Sequence, residues 1–112
     1  MYRNRGKEES ISIVVPVYNE EANIELLVEQ LGGVLNDRRY EIVFVDDGSR
    51  DGTLERIKAL RETNSHLHYL SLSRNFGHQN ALKAGLDHAS GDCVITMDGD
   101  LQHPPELVPR ML

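Results

Sequence analysis

Two apolar stretches of this 112-residue chain each lead directly into a pair of acidic residues. Residues 42–45 precede Asp46 and Asp47, and residues 94–97 precede Asp98 and Asp100. Uninterrupted apolar runs of this length are typical of strands buried on both faces of a parallel sheet. In such sheets ligands bind beyond the carboxyl ends of the strands, where four carboxylates would repel one another unless a cation lay among them. The sequence therefore predicts a site for a metal ion and a phosphate-bearing ligand.

Strand and helix patterns alternate along the chain. The predicted strands cover Ile11–Pro16, Tyr40–Val45, Leu67–Leu72 and Val94–Met97. The predicted helices cover about Glu20–Leu35, Leu54–Arg61 and His78–Ala89, and a fourth begins at Pro104-Pro105. We expect Asn19 to cap the first helix, and small residues spaced four apart to let the third helix pack closely on the sheet. This alternation predicts an α/β fold with a Rossmann-like, doubly wound, mostly parallel sheet.

The two ends of the chain set further expectations. Residues 1–10 are polar and mixed in charge, which predicts a flexible N-terminal lead-in, and residues 11–112 form the one predicted domain. Leu112 lies inside a helical pattern without a stop signal, so we expect a truncated sheet. The open edge of such a sheet favours pairing with another copy of the chain, which makes a homo-oligomer an expected form.

Composition excludes several classes of protein. The formal net charge of −6 argues against a nucleic-acid partner. Cys93 is the only cysteine, so the chain has neither an internal disulfide nor a cysteine-built zinc site. No segment resembles a signal peptide or a membrane span, which makes the cytoplasm the expected location.

The D-x-D pattern Asp98-Gly99-Asp100 is the clearest candidate metal site. Mg²⁺ and Mn²⁺ prefer oxygen ligands and often bind substrate phosphates at the same time. We expect Gly99 to leave room for a ligand near the backbone. A surface turn is the alternative for an isolated D-x-D, but the buried strand before it favours a metal site. A calcium loop starting at Asp47 is excluded, because its twelfth position is Lys58 where a glutamate is required.

Other polar residues follow the remaining strand ends. Asp47 is expected to accept hydrogen bonds from a base or ribose, whereas Asp46 is equally well explained as a loop residue that binds nearby amides. Arg74 and Lys83 are candidate phosphate contacts or, alternatively, solvated charges. His78 and His103 flank the predicted site, with a structural or surface position as the alternative for each. The glycine-rich signatures of dinucleotide-binding and P-loop proteins are absent.

Several ordered motifs resemble those of the inverting family 2 glycosyltransferases, which have the GT-A fold. Residues 14–21, 45–53 and 98–100 carry this resemblance. Residues 73–78 and 98–106 look like the branch that glycosylates polyprenyl phosphates, such as dolichyl and undecaprenyl phosphate. The resemblance implies that the chain is the nucleotide-sugar-binding half of a GT-A domain. The middle residue of the D-x-D is often Ala in this branch, and we expect Gly99 to be tolerated there.

The resemblance also implies roles for individual residues. Those expected to line the nucleotide-sugar pocket are Pro16, Tyr18, Glu20, Asp47 and Asp98. Lys83 is a further candidate contact on its charge alone, without support from the resemblance. Those expected to hold Mg²⁺ or Mn²⁺ with the donor diphosphate are Asp98, Asp100 and Gln102. The family's acceptor-side residues and any catalytic base follow the positions present here, so no catalytic residue is assigned.

The implied reaction is the metal-dependent transfer of a sugar from a UDP- or GDP-sugar to a polyprenyl phosphate, with inversion. The full-length protein would work at the cytoplasmic face of a membrane, which it would contact only through segments beyond this chain.

Three alternatives stay open at this point. The chain could bind nucleotides without activity of its own. A haloacid-dehalogenase-type phosphatase also uses a D-x-D, but here Leu101-Gln102 follow it instead of Gly-Thr. A nucleotidyltransferase would need a basic, glycine-rich loop after the first strand, where residues 17–21 are acidic.

Overall fold

A computed structural model describes residues 10–99 as a four-stranded parallel sheet with three helices. The strands are β1 (Ser10–Val17), β2 (Arg39–Asp46), β3 (Leu67–Ser71) and β4 (Cys93–Thr96). The helices are α1 (Glu21–Val34), α2 (Thr53–Thr63) and α3 (His78–His88). The strand order across the sheet is β3-β2-β1-β4, and all neighbouring pairs are parallel. The predicted α/β class and parallel sheet are therefore confirmed.

Strand and helix bounds differ from the predicted ones by a few residues. β1 begins at Ser10, inside the predicted lead-in, where Ser10 pairs with Arg39 of β2. The Ser10 amide and hydroxyl also donate to Asp92 Oδ2, at 3.1 and 3.2 Å. β4 ends at Thr96, although the Met97 amide still donates to the Val14 carbonyl at 3.0 Å. The predicted lead-in up to residue 9 and the predicted helix at Pro104-Pro105 lie outside the described residues.

The helices cover both faces of the sheet, as a doubly wound fold requires. One face of β1, formed by Ile11, Ile13, Val15 and Val17, belongs to the same buried cluster as the apolar residues of α1 and α2. The largest buried side chains of this cluster include Phe44 on β2. Helix α3 packs against β1 and β2 from the opposite face. The reversal in strand order at β1 explains this, because connections running in opposite directions place their helices on opposite faces.

Helix α3 lies close to the sheet because its inward face carries small residues. Ala81 and Gly85 are both buried. A Cβ atom on Gly85 would lie 2.9 Å from Val45 Cγ2 and still closer to Val14 Cγ1. The close approach predicted from the spacing of small residues is thus present. Within residues 10–99, no helix has the length and apolar content that a bilayer crossing requires.

A hydrogen-bonded carboxylate joins strands and helices at the amino-terminal edge of the sheet. Glu41 Oε2 accepts hydrogen bonds from the hydroxyl of Ser12 and from the amide of Ser90, the latter at 2.8 Å. The Ser12 hydroxyl oxygen in turn accepts the Gly91 amide at 2.8 Å. His68 Nε2 lies 3.6 Å from Glu41 Oε1. Desolvation acts to raise the pKa of Glu41, but the hydrogen bonds from Ser12 and Ser90 outweigh it, so the pKa lies below its ordinary value.

The packing of α3 predicts opposite effects for two glycine-to-alanine substitutions. Gly85→Ala should lower the free energy of unfolding by about 1–2 kcal/mol, because the new methyl group meets two buried, stiff valines. Gly33→Ala on α1 should raise it by roughly 0.5–1 kcal/mol, because nothing lies within 4 Å and alanine favours the helix. Urea unfolding of both variants measures the difference. Equal effects of the two substitutions would contradict the close packing of α3.

The lowered pKa of Glu41 predicts a pH-dependent stability. A carboxyl group whose pKa is lower in the folded state stabilises the fold above its unfolded-state pKa, near 4.5, and loses that contribution as the pH falls through the folded value. The melting temperature of the wild type should therefore exceed that of Glu41→Gln most at pH 6–7, and the difference should shrink below about pH 4.5. Glu62→Gln, on the exposed side of α2, is the matched control and should show a smaller change with pH.

Candidate functional site

A cleft of about 540 Å³ opens at the carboxyl ends of β1 and β4. It lies where the strand order reverses, which is the place where open α/β sheets bind their ligands. Its lining residues come from the ends of β1, β2 and β4, from the loop after β3 and from the start of α3: Pro16, Val17, Tyr18, Glu20, Asp47, Asn75, His78, Ala81, Asp98 and Gly99.

The structure brings most of the sequence-predicted residues together in this cleft. Pro16, Tyr18, Glu20, Asp47 and Asp98 all line it. Lys83 does not belong to the lining: its side chain is exposed on α3, where Ala81 occupies the inward face. Asp100, Gln102 and His103 lie outside the described residues. The chemical roles assigned to all these residues stay predictions.

The loop after β1 is fastened to the loop after β2 through Asn19. This residue has a positive φ of 54°, which asparagine tolerates better than most residues. Its Oδ1 accepts the amides of Arg50 and Asp51 at 2.8 and 3.4 Å, and its own amide donates to Ser49 Oγ at 2.9 Å. The prediction that Asn19 caps α1 was wrong. The cap position is Glu20, whose own side chain makes no cap hydrogen bond, and the Glu21 amide at the start of the helix donates instead to Asp51 Oδ2 at 3.4 Å.

Glu20 stands at the mouth of the cleft in a fixed position. Its amide donates to Thr53 Oγ1 at 2.9 Å, and its Oε2 accepts Asn23 Nδ2 at 2.8 Å. Thr53 is buried, and its hydroxyl donates to Asp51 Oδ1. Desolvation acts to raise the pKa of Asp51, but the hydrogen bonds from the hydroxyl and amide of Thr53 outweigh it and lower the pKa. These hydrogen bonds fix the position of the Glu20 backbone relative to the start of α2.

The two acids after β2 have different partners. Asp46 Oδ1 accepts the Ser49 amide at 3.3 Å, as expected for a loop residue. Asp47 Oδ1 accepts the Phe76 amide at 2.8 Å, and its Oδ2 accepts the Gly77 amide at 3.1 Å. The sequence analysis missed these two bonds, since they join residues about thirty positions apart and no local pattern indicates them. Asp47 is only 4% exposed, yet it still contributes to the wall of the cleft.

His78 and Asp98 face each other across the cleft. His78 Nε2 lies 3.8 Å from Asp98 Oδ1, and both side chains are well exposed. Asn75 and His78 come from the loop before α3 and from its first residue, so the sequence prediction that His78 flanks the site agrees with its position. Arg74, in contrast, lies over the Phe76 ring, with its guanidinium carbon 4.8 Å from the ring centroid. It is not among the residues that line the cleft.

Gly99 lines the cleft and is also needed for packing on the side where a Cβ atom would lie. A Cβ atom at this position would lie 2.6 Å from Val17 Cγ1 and 3.6 Å from the Pro16 carbonyl oxygen. Valine is stiff about χ1, so it yields little to such a contact. The end of β1 therefore fills the space on the Cβ side of Gly99, and this close packing restricts the backbone next to Asp98. The expectation that Gly99 leaves room for a ligand near the backbone stays a prediction.

The described part of the site holds carboxylate oxygens but no complete metal cage. Among residues 10–99, no three acidic, histidine or cysteine side chains converge as metal ligands do. Asp98 and Glu20 present oxygen atoms of the kind that Mg²⁺ and Mn²⁺ prefer. Such ions commonly take only one or two protein carboxylates and complete their coordination with water and substrate phosphates. The donor chemistry of the cleft therefore fits a hard divalent cation.

The role of Asn19 predicts a difference between two substitutions. Asn19→Ala should lower the free energy of unfolding by about 2 kcal/mol, because two amides lose their acceptor and alanine is strained at positive φ. Asn19→Gly loses the same hydrogen bonds without the strain and should cost only about 1 kcal/mol. Thermal unfolding separates them by several degrees. Indistinguishable melting temperatures for the two variants would mean that the positive φ carries no strain.

Comparisons with known proteins give a consistent result. The family model "Glycosyl transferase family 2" matches residues 12–112. The chain is 43% identical over 109 residues to the undecaprenyl-phosphate 4-deoxy-4-formamido-L-arabinose transferase of Yersinia enterocolitica. This alignment covers 95% of the present chain and 33% of the Yersinia protein. The chain thus spans about a third of the length of the curated relatives it matches.

Two solved structures resemble the chain in three dimensions. A mannosyltransferase from Pyrobaculum calidifontis in complex with GDP-Man and Mn²⁺ has a TM-score of 0.74 and 28% identity, over 87% of this chain and 29% of that one. Glucosyl-3-phosphoglycerate synthase from Mycobacterium tuberculosis, in complex with Mn²⁺, UDP and glucosyl-3-phosphoglycerate, has a TM-score of 0.71 and 32% identity, over 90% and 37% of the two chains.

These neighbours are GT-A glycosyltransferases, which agrees with the strand order and with the position of the cleft. Since the family model covers nearly the whole chain, the chain belongs to glycosyltransferase family 2.

Proposed function

We propose that the chain binds the donor in the metal-dependent transfer of a sugar from a UDP- or GDP-sugar to a polyprenyl phosphate. The observation that carries this proposal is the cleft between β1 and β4, which gathers Pro16, Tyr18, Glu20, Asp47 and Asp98 at one edge of the sheet. Solved relatives carry GDP-Man with Mn²⁺, or UDP with Mn²⁺, which supports a nucleotide-linked donor and a divalent cation. The name of the Yersinia relative supports a polyprenyl-phosphate acceptor.

The charge of the cleft supports the need for a cation. Glu20, Asp47 and Asp98 are all acidic, so the cleft on its own repels a diphosphate. In the proposal, Asp98 holds Mg²⁺ or Mn²⁺ together with Asp100 and Gln102. The bound cation supplies positive charge beside the leaving nucleoside diphosphate. Lys83 is left out, because its side chain is exposed outside the cleft.

The described residues act on the donor by binding and orientation. Tyr18 is 40% exposed at the rim, where its ring is available to a nucleoside. Asp47 and the backbone around Pro16 form the wall behind it. The acceptor phosphate is already ionised near pH 7, so its oxygen attacks the anomeric carbon without needing a base to remove a proton. We place this step at the cytoplasmic face of a membrane, with residues 11–112 as the donor-binding part of the domain.

Donor binding without transfer is the alternative for the chain by itself. It is kept because the curated relatives are about three times as long as the aligned region. Both versions of the proposal require the same nucleotide site, so nucleotide binding is the property to test first.

A thermal-shift titration with UDP and GDP, each with Mn²⁺ and again with EDTA, tests the site. A nucleotide at one hundred times its Kd stabilises the folded state by about 2.7 kcal/mol, which should raise the melting temperature by roughly 10 °C. The shift should require Mn²⁺ and should appear with one of the two bases. Asp98→Asn and Asp100→Asn should abolish it, whereas Asp87→Asn, exposed on α3 outside the cleft, should retain it.

Two results of this titration would contradict the proposal. If the folded chain shows no shift with either nucleotide, or if Asp98→Asn shifts as much as the wild type, the cleft is not a metal-dependent nucleotide site.

A further inference from the structure

We propose that Asp47 is a positioning residue, which holds the loop before α3 in place and so determines where Asn75 and His78 stand in the cleft. The loop in question, named here the β3–α3 loop, comprises residues 72–77 between β3 and α3. The inference rests on the proposed function only for the identity of the ligand. It assigns to Asp47 a task that is separate from any contact with a nucleotide.

Both oxygens of the Asp47 carboxylate bind the β3–α3 loop. Each of its two oxygens accepts one backbone amide, from Phe76 at 2.8 Å and from Gly77 at 3.1 Å. Hydrogen bonds to an ionised acceptor are among the stronger ones in proteins, and paired bonds also restrict orientation. Asp47 is nearly buried, so water is a poor substitute for either bond.

The backbone on either side of Asp47 strengthens the same attachment. Gly48 has a φ of +74°, and a Cβ atom there would lie 2.6 Å from the Asn75 amide nitrogen, with the Arg74 carbonyl carbon closer still. The Leu72 amide donates to the Asp46 carbonyl at 2.9 Å. The β3–α3 loop thus contacts three consecutive residues, the last residue of β2 and the two that follow it, at its beginning, middle and end.

The amides that Asp47 binds lie next to residues that line the cleft. Gly77, whose φ is +99°, is followed at once by His78, the first residue of α3. The Gly77 amide also donates to Asn75 Oδ1 at 2.9 Å. The position of this one amide therefore affects both Asn75 and His78, which line the cleft. His78 then faces Asp98 at 3.8 Å. A shift of the Phe76-Gly77 backbone therefore moves His78 relative to the proposed metal ligand.

A direct nucleotide contact by Asp47 would add to these bonds without replacing them. Each carboxylate oxygen has two lone pairs, and each uses one for a backbone amide. Loss of nucleotide binding in an Asp47 variant is therefore not evidence of direct contact. The two roles are separated by measurements made without any ligand.

The test compares Asp47→Asn with Asp46→Asn in the 112-residue chain. The two residues are adjacent and both buried, but the hydrogen bond described for the Asp46 carboxylate is local, from the Ser49 amide. The substitution leaves the backbone bond from Leu72 to Asp46 in place. An asparagine at position 47 places an NH₂ group against one of the two loop amides. We expect hydrogen exchange of the Phe76 or Gly77 amide to rise about tenfold or more in Asp47→Asn, and the NMR signals of the His78 ring to shift. In Asp46→Asn both should stay as in the wild type.

A second variant keeps the test decisive if Asp47→Asn does not fold. Asn75→Ala removes the other acceptor of the Gly77 amide and leaves both Asp47 bonds intact. Protection of the Phe76 and Gly77 amides should then persist within about threefold of the wild type. A rise as large as that expected for Asp47→Asn would show that Asn75 holds the loop, and would overturn the inference.

Nucleotide binding provides the remaining arm of the experiment. With UDP or GDP and Mn²⁺, the effects of Asp47→Asn and His78→Ala on Kd should be non-additive, because the first acts through the position of the second. Additive effects, or unchanged exchange and His78 signals in a folded Asp47→Asn variant, would contradict the positioning role. If the wild type binds neither nucleotide, the proposed function fails, while the exchange and ring signals still decide the role of Asp47.

Discussion

The architecture depends on one constraint: parallel strands are joined only by connections that return to the starting edge. Every strand of this sheet therefore ends at the same edge, and the loops that leave it compete for the same space. β2 and β4 lie on opposite sides of β1, so the chain crosses the sheet in one direction from β1 to β3 and in the other direction from β3 to β4. Connections that run in opposite directions place their helices on opposite faces of the sheet. The cleft is the gap that this divergence leaves. Its existence follows from topology, and its shape follows from the loops.

The acidic residues at this edge divide into two kinds. Asp46, Asp47 and Asp51 accept backbone amides of the loops that leave this edge and of the start of α2. Asp98 makes its one described side-chain contact with His78 and is exposed to the cleft. A carboxylate that already accepts amides is held in place and is a useful wall, whereas an exposed carboxylate is available to a cation. Aspartates thus hold loops in position at one part of this edge, whereas Asp98 presents an exposed carboxylate at another.

The sequence was sufficient for the elements and for the meeting of strand ends, because both depend on local patterns. Apolar runs identified the strands, and the rule that ligands bind at their carboxyl ends placed Pro16 and Asp98 in one cleft. Contacts between loops were not predictable in the same way. Asn19 reaches Arg50 and Asp47 reaches Phe76 over about thirty positions, and no short motif indicates such pairs. Lys83 failed to reach the cleft for a simpler reason: the helical phase that points Ala81 inward leaves it exposed.

Pro16 has a consequence for the shape of the cleft beyond its place in the lining. Along β1, alternate residues direct their backbone groups to opposite neighbours: the Val14 carbonyl accepts the Met97 amide, and the Val17 carbonyl accepts the Asp47 amide. By this alternation, the backbone nitrogen of Pro16 faces β4, and because proline has no N–H this nitrogen donates no hydrogen bond to β4. The pairing of β1 with β4 ends at Val14 and Thr96, whereas its pairing with β2 continues to Val17. Because Pro16 has no N–H to donate to β4, β1 separates from β4 three residues before it separates from β2, and the gap that opens between the two strands is part of the cleft that Asp98 lines.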